Sequence, residues 1–234
     1  MNKIVRTLTL VYDINLKSWE IPLFRGAVIG CSGDDDNLLY HNHIGDNKLR
    51  YSYPLIQYKR IGGKAAIVCV EDGIDAIGQF LAHPPLSLKV GEREASPGTV
   101  KVTPASTPVQ LWDDAQFRYR IVTWLPLNAA NYAKYRTTES IAERMTMLEK
   151  ILKSNILSML KSLGVWLEEE LRVCITEICD PYIVHNKGVA LTAFNATFTS
   201  NLSIPEKVGL GKNASIGYGT VYKAGNDSPC NAKE

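Results

Sequence analysis

The chain of 234 residues is 45% hydrophobic and 21% charged, and its formal net charge is +2 at pH 7. This composition is ordinary for a globular protein, and no apolar run approaches the ~20 residues of a membrane span, which excludes a membrane protein. The net charge is too small for binding of nucleic acid through bulk electrostatics, so any such site must be local. The length predicts two domains of about 110 residues each.

The N-terminus and the cysteines predict the compartment. Residues 1–13 (MNKIVRTLTLVYD) alternate like a strand and lack the continuous apolar core of a secretion signal. The five cysteines are odd in number and form no Cys-x-x-Cys pair, which favours reduced thiols over a disulfide framework. Both observations predict a cytoplasmic protein.

The first half of the chain alternates between strand-like and helix-like segments. Strands are predicted at residues 3–12, 51–59, 65–71, 86–90 and 99–111, and short helices at residues 19–30 and 72–83. Gly62 and Gly63 predict a tight hairpin turn, because glycine supplies the positive φ that such turns require. The order β, α, β, β, α, β is that of the ferredoxin-like fold, a four-stranded antiparallel sheet with both helices on one face.

The second half looks like a partial copy of the first. Strands are predicted at residues 117–127, 172–178, 189–199 and 216–223, with a turn at residues 180–188 that carries His185. The main helix, residues 140–163, opens with a Ser140/Glu143 capping box, and Gly164 ends it. Its apolar stripe predicts a face buried against a sheet: Ile141, Met145, Leu148, Leu152, Ile156, Met159 and Leu163. We therefore predict an α+β protein of two tandem ferredoxin-like domains, residues 1–113 and 114–234.

The segment of residues 38–64 is the candidate site, because it holds two of the four histidines and four of the eleven tyrosines. His41 and His43 are two residues apart, so in extended chain both imidazoles lie on one side. Three interpretations stay open. A metal site lacks a third ligand at suitable spacing; ordinary loop histidines need no function; and proton transfer suits an imidazole, whose pKa is about 6.5.

Residues 209–219 (GLGKNASIGYG) form a glycine-rich segment. A dinucleotide fingerprint is excluded, because no strand of buried type precedes the segment and too little chain follows for a ~30-residue βαβ unit. A Walker A loop is excluded too, since Glu206 stands where its first glycine belongs. Two interpretations remain: a loop with Lys207 and Lys212 whose backbone N–H groups hold phosphates, or a plain loop in which glycine serves turn geometry.

Together, the two ferredoxin-like units, the Gly-x-Gly-Lys sequence followed by residues 215–219 (SIGYG), and the histidines after the first helix resemble the repeat-cleaving endoribonucleases of CRISPR systems. These belong to the RAMP (repeat-associated RNA-binding) superfamily. The resemblance spans nearly the whole chain and is strongest to the branch with a paired His-x-His, here His41-Asn42-His43, followed by residues 49–60 (LRYSYPLIQYKR). It implies cleavage of CRISPR precursor RNA within each repeat by attack of the RNA's own 2′-OH, without metal or cofactor, leaving 5′-OH and 2′,3′-cyclic phosphate ends.

The resemblance also implies roles for individual residues. His41 and His43 are the expected catalytic pair, with Tyr51 and Lys59 as further catalytic candidates. RNA contacts are expected from Arg25, Tyr53, Arg60, Lys207, Gly209, Gly211, Lys212, Gly217 and Gly219. The expected partner is CRISPR repeat RNA, whereas a homodimer and other subunits of a CRISPR surveillance complex stay open. The alternative function is a non-catalytic RNA-binding subunit of such a complex.

Overall fold

A computed structural model describes residues 3–32, 43–44, 48–49, 53–98 and 101–225. The chain divides into two compact units. The N-terminal unit comprises Ile4–Thr107 together with Ser215–Gly217, and the C-terminal unit contains Pro108–Ala214 and the chain from Tyr218 onward. A short piece of the glycine-rich segment is therefore part of the N-terminal unit.

The first half of the chain contains eight strands, two α-helices and a short 3-10 turn in its described parts. In chain order these are β1 (Lys3–Asn15), the 3-10 turn (Ser18–Glu20), α1 (Ile21–Ser32), β2 (His43–Ile44), β3 (Lys48–Leu49), β4 (Ile56–Ile61), β5 (Lys64–Val70), α2 (Asp72–Ala82), β6 (Leu88–Val90), β7 (Arg93–Ala95) and β8 (Lys101–Val109). Four of the strands form the main sheet in the order β4-β5-β1-β8, and β2-β3 and β6-β7 form separate two-stranded sheets.

Strands β4 and β5 follow each other directly in the chain and form a hairpin in this sheet. Its strands pair antiparallel, and Ile61 lies opposite Lys64. Gly62 and Gly63 connect them with φ angles of 58° and 81°, which confirms the predicted glycine turn. The strand begins five residues later than predicted, at Ile56, because the chain before it contains Pro54, which cannot donate a ladder hydrogen bond.

The core of the N-terminal unit is built on aromatic rings from three elements. Phe24 of α1 is fully buried, and its ring lies edge-on to Tyr12 of β1 and Tyr58 of β4, with ring centroids 5.9 Å apart in both pairs. Such edge contacts add to the roughly 1.5–3 kcal/mol gained by burying one Phe side chain. Packing of this kind holds α1 against the sheet.

The second half of the chain contains five strands, two α-helices and a second 3-10 turn in its described residues. They are β9 (Phe117–Trp124), α3 (Ala129–Thr137), α4 (Ile141–Ser162), β10 (Val173–Ile178), β11 (Tyr182–Asn186), β12 (Val189–Ser200), the 3-10 turn (Ala214–Ile216) and β13 (Thr220–Lys223). The sheet order is β10-β12-β9-β13, with β11 paired to β12. In each of these two sheets, the second of the four strands in chain order lies at one edge, followed by the third, the first and the fourth. This is the strand order of the ferredoxin-like fold. The predicted α+β class and double ferredoxin-like fold are confirmed.

Helix α4 follows the prediction closely. The Ser140 side chain accepts a hydrogen bond from the backbone N–H of Glu143, and Gly164 follows the helix with φ 67°. Most of the predicted apolar stripe is buried: Leu148, Leu152, Ile156, Met159 and Leu163. Ile141, however, is 77% exposed, because hydrophobic period identifies a helix face without fixing how far along the helix the core reaches.

Two expectations about the second half are wrong. Residues 182–186 form β11, which pairs with β12 through a turn at Lys187 and Gly188, whereas the sequence predicts a turn throughout. Cys179 is disulfide-bonded, although Cys31, Cys69 and Cys174 carry the free thiols that the sequence predicts. Spacing along the chain does not show which cysteines meet in space.

Candidate functional site

Within the candidate segment of residues 38–64, the structure describes residues 43–44, 48–49 and 53–64. His41 and Tyr51 fall outside them, and His43 is described only by its backbone, which forms β2 opposite Leu49 of β3. The other two histidines, His83 and His185, are exposed, as the sequence predicts. The catalytic roles expected of His41, His43 and Tyr51 therefore remain predictions.

Lys59 lies in the interior of the N-terminal unit. It sits on β4 opposite Ala66 of β5 and is only 1% exposed. A buried ammonium group is costly unless other groups of the protein compensate it, and Lys59 does interact with other parts of the chain. Its burial distinguishes Lys59 from a solvated phosphate-binding lysine and favours a fixed position for its charge.

The three other candidates from the N-terminal unit are only partly exposed. Arg25 on α1 and Tyr53 ahead of β4 are half-buried, and both interact with the rest of the chain. The Nε of Arg60 donates a hydrogen bond of 2.6 Å to the carbonyl oxygen of Leu16. This bond holds the Arg60 guanidinium beside the turn that follows β1.

The glycine-rich segment is a closed loop that extends from β13. Val221 donates a backbone hydrogen bond to Val208, and Leu210 donates one to Gly219, both at 2.8 Å. Gly209 bridges to Thr220. These pairs close the loop, which comprises residues 211–218.

Gly219 and Gly211 are required by the geometry of this loop. Gly219 has φ 64°, and a Cβ atom there would overlap the carbonyl oxygen of Leu210. Gly211 has φ 85°, and a Cβ there would lie 2.7 Å from Oδ1 of Asn155, which accepts a hydrogen bond from the Trp124 indole. Turn geometry thus accounts for both glycines, which is one of the two interpretations left open by the sequence.

Gly219→Ala should lower the free energy of unfolding by about 3 kcal/mol or more, because it adds a left-handed backbone penalty to a clash with main chain that cannot move alone. Urea unfolding of the purified variant measures this loss. Gly26→Ala is the matched control, since nothing lies within 4 Å of a Cβ built there on α1. Alanine in this helix should be neutral or stabilising by up to about 1 kcal/mol. Equal stability of the two variants would contradict the assigned role of Gly219.

The loop also presents groups suited to phosphate. Lys212 is exposed at its tip, whereas Lys207 is half-buried and has φ 65°. Within the part of the chain that the structure describes, the backbone N–H groups of Gly211 and Lys212 have no hydrogen-bond acceptor. Exposed N–H groups next to a lysine can bind an anion without reading sequence. Burial raises the pKa of Tyr218, with the nearby Tyr182 as a lesser cause, so its phenol stays neutral and can donate a hydrogen bond.

Gly217 links the loop to the strand that carries Lys59. Residues 215–217 belong to the N-terminal unit. A Cβ built on Gly217 would lie 2.8 Å from Cδ1 of Ile21, 3.5 Å from the carbonyl oxygen of Tyr58 and 3.8 Å from the Cα of Lys59. The structure thereby brings together two candidates, Gly217 and Lys59, that lie far apart in the sequence.

A pair of arginines on the C-terminal sheet was missed by the sequence reasoning. Arg118 and Arg120 alternate along β9, and the Arg120 guanidinium carbon lies 5.5 Å from the ring centroid of Tyr222 on β13. Arg118 forms an ion pair of 2.8 Å with Glu177. Arginines beside an aromatic ring can contact both phosphates and bases. The sequence feature that could have indicated them is their spacing of two residues, which places both side chains on one face of a strand.

Two general features of the described residues bear on the site. No group of three or more His, Cys, Asp or Glu side chains is placed to hold a metal ion in the described ranges. None of the helices seen there is both long and apolar enough to cross a membrane.

Known protein families match both halves of this chain. Residues 3–103 match the Cas6b N-terminal domain, and residues 111–224 match the Cas6b C-terminal domain. A crystal structure of Cas6b is 28% identical with a TM-score of 0.86, and a structure of the CRISPR RNA processing endoribonuclease Cas6b is 27% identical with a TM-score of 0.74. Each alignment covers 95% of this chain and 100% of the other. An uncharacterized protein of Methanocaldococcus jannaschii is 36% identical over 107 residues, which is 45% of this chain and 71% of the relative.

The double ferredoxin-like fold and these matches define a protein of the Cas6 class of CRISPR-associated endoribonucleases. Within that class, the chain belongs to the Cas6b family. The family resemblance inferred from the sequence is thus confirmed.

Proposed function

We propose that this protein is a metal-independent endoribonuclease that cuts CRISPR precursor RNA within its repeats. The observation that carries the proposal is the match of both halves to the two Cas6b domains in order, over most of the chain. The likeness to a Cas6b described as a CRISPR RNA processing endoribonuclease supports it. Residues 1–113 would carry the catalytic histidines, and residues 114–234 the glycine-rich RNA-binding loop.

In the proposed reaction the RNA supplies its own nucleophile. The enzyme aligns the 2′-OH with the adjacent phosphate, removes the hydroxyl proton and protonates the departing 5′ oxygen. One imidazole of the His41 and His43 pair serves as base and the other as acid, and Tyr51 and Lys59 assist. The products are a 2′,3′-cyclic phosphate and a 5′-OH.

The position of Lys59 suits charge stabilisation. A lysine buried next to the loop backbone holds its ammonium group in a low-dielectric environment, where interaction with a developing phosphorane charge is stronger than in water. The neighbouring Gly217 lets residues 215–217 pack closely against β4, because it has no side chain that would overlap Ile21. These two features support a binding surface formed by β4 and residues 215–217 in the N-terminal unit.

Incubation with a repeat RNA in EDTA tests this function. We expect one defined cut per repeat, since no step requires a metal ion. The matched control is an RNA of the same length and base composition in scrambled order. Bound but intact repeat RNA would instead indicate a non-catalytic subunit of a CRISPR surveillance complex, and failure to bind repeat RNA at all would contradict both functions.

A further inference from the structure

Trp19 is a large aromatic side chain left in solvent. It lies in the 3-10 turn before α1 and is 64% exposed. The Lys17 ammonium group lies 5.8 Å from the centroid of its ring. An exposed indole with a cation over one face can accept a flat, anionic partner.

Trp19 lines a cleft of about 870 Å³ in which basic side chains outnumber acidic ones by three to two. All of its lining residues belong to the N-terminal unit. Lys17, Arg60 and Arg93 supply three positive charges, and Glu20 is one of two acids. Arg93 is fixed by hydrogen bonds to the carbonyl oxygen of Asn15, at 3.1 Å, and to the Glu20 carboxylate, at 3.3 Å.

The carboxylate of Glu20 already accepts hydrogen bonds from other groups of the protein. It accepts a hydrogen bond of 2.7 Å from the backbone N–H of Lys17 as well as the one from Arg93. The Lys17 ammonium makes no hydrogen bond or ion pair to the described residues. The Lys17 charge thus lies over the exposed indole within the cleft.

Trp166, another exposed tryptophan of the described residues, provides a contrast. Trp166 in the C-terminal unit is 68% exposed, but its shallow pocket is lined by Asp113, Glu168 and Glu169. Carboxylates repel a phosphate backbone, whereas the cations around Trp19 attract it. Of these two exposed indoles, only Trp19 is suited to a polyanion.

We propose that the Trp19 cleft is a subsite for one nucleotide of single-stranded RNA. The base stacks on the indole, and Lys17 and Arg93 bind the adjoining phosphates. The subsite is near residues 215–217 along the chain fold, because Cδ1 of Ile21, two residues after Trp19, would lie 2.8 Å from a Cβ built on Gly217. An RNA strand that passes residues 215–217 can thus continue into the cleft. This inference rests on the proposed function, since it assigns a further contact with the same RNA.

Affinity for a non-cleavable repeat RNA, with 2′-deoxy at the scissile position, tests the subsite by fluorescence anisotropy. Trp19→Ala should raise Kd about 5- to 100-fold, the loss expected for one stacked base. Trp19→Phe should recover a substantial part of the affinity, because a phenyl ring still stacks. Trp166→Ala is the matched control and should bind like wild type.

Crosslinking locates the contact directly. Repeat RNAs with one 4-thiouridine at successive positions should crosslink, for one or two adjacent positions, to the tryptic peptide of residues 18–25. Equal affinities of the Trp19→Ala and Trp166→Ala variants, or no crosslink to this peptide, would overturn the subsite. The exposed Trp19 would then be assigned to contact with a protein partner. Failure of the proposed function is a different result, namely that wild-type protein neither cuts nor binds repeat RNA.

Discussion

Replacing His41 and His43 together by alanine should abolish cleavage of repeat RNA while leaving its affinity for that RNA nearly unchanged. The two imidazoles are proposed to act as base and acid, which contribute far more to the chemical step than to ground-state binding. Each single replacement should slow cleavage about 10²- to 10⁴-fold. Single-turnover assays with end-labelled repeat RNA measure the rate, and a filter-binding assay measures the affinity.

The chain offers its own controls for this experiment. His83 and His185 are exposed and stand outside the proposed site, so His83→Ala and His185→Ala should cleave at the wild-type rate. A double variant at positions 41 and 43 with full activity would refute the assignment of the catalytic pair. A double variant that loses binding and cleavage together would mean that the histidines hold the RNA without performing the chemistry.

A single 2′-deoxy substitution immediately upstream of the scissile phosphate should eliminate the cut. The proposed nucleophile is that 2′-OH, and its removal takes the attacking atom away while leaving base pairing and phosphate contacts in place. Metal-activated hydrolysis uses a water molecule as nucleophile and should largely tolerate the substitution. Denaturing gels of deoxy and ribose substrates, each in EDTA and in Mg²⁺, distinguish the two mechanisms.

The control is the same deoxy substitution placed two nucleotides downstream, which should be cut normally. Cleavage of the test substrate at a near-normal rate would overturn the 2′-OH mechanism. Loss of activity in EDTA that Mg²⁺ restores would do the same, even though membership of the Cas6b family would stand.

Features governed by neighbouring residues were predictable from the sequence. The Gly62–Gly63 turn depends on two backbone conformations that glycine adopts without cost. The capping of α4 by Ser140 depends on a side chain three residues from its donor. Because these preferences act within a few residues, the order of the main-sheet strands could be predicted from the sequence. The double ferredoxin-like fold followed from that order.

Burial on both faces of β4 was not predictable. The sequence assigns Lys59 to one face and Tyr58 to the other, as strand period requires, but the structure buries both. Period two identifies which residues share a face without showing what covers that face.

The sequence alone therefore determined the order of the main-sheet strands, the class of fold, the family resemblance and the identity of the candidate residues. Tertiary structure alone decided that residues 215–217 lie with β4, that Gly219 must lack a Cβ because of Leu210, and that Trp19 shares a cleft with Arg60 and Arg93. Local conformational preference and hydrophobic period are properties of neighbouring residues and can be read from their order. Contacts between distant segments depend on how the whole chain packs, because a close approach is fixed by the shapes of both surfaces and not by either segment alone.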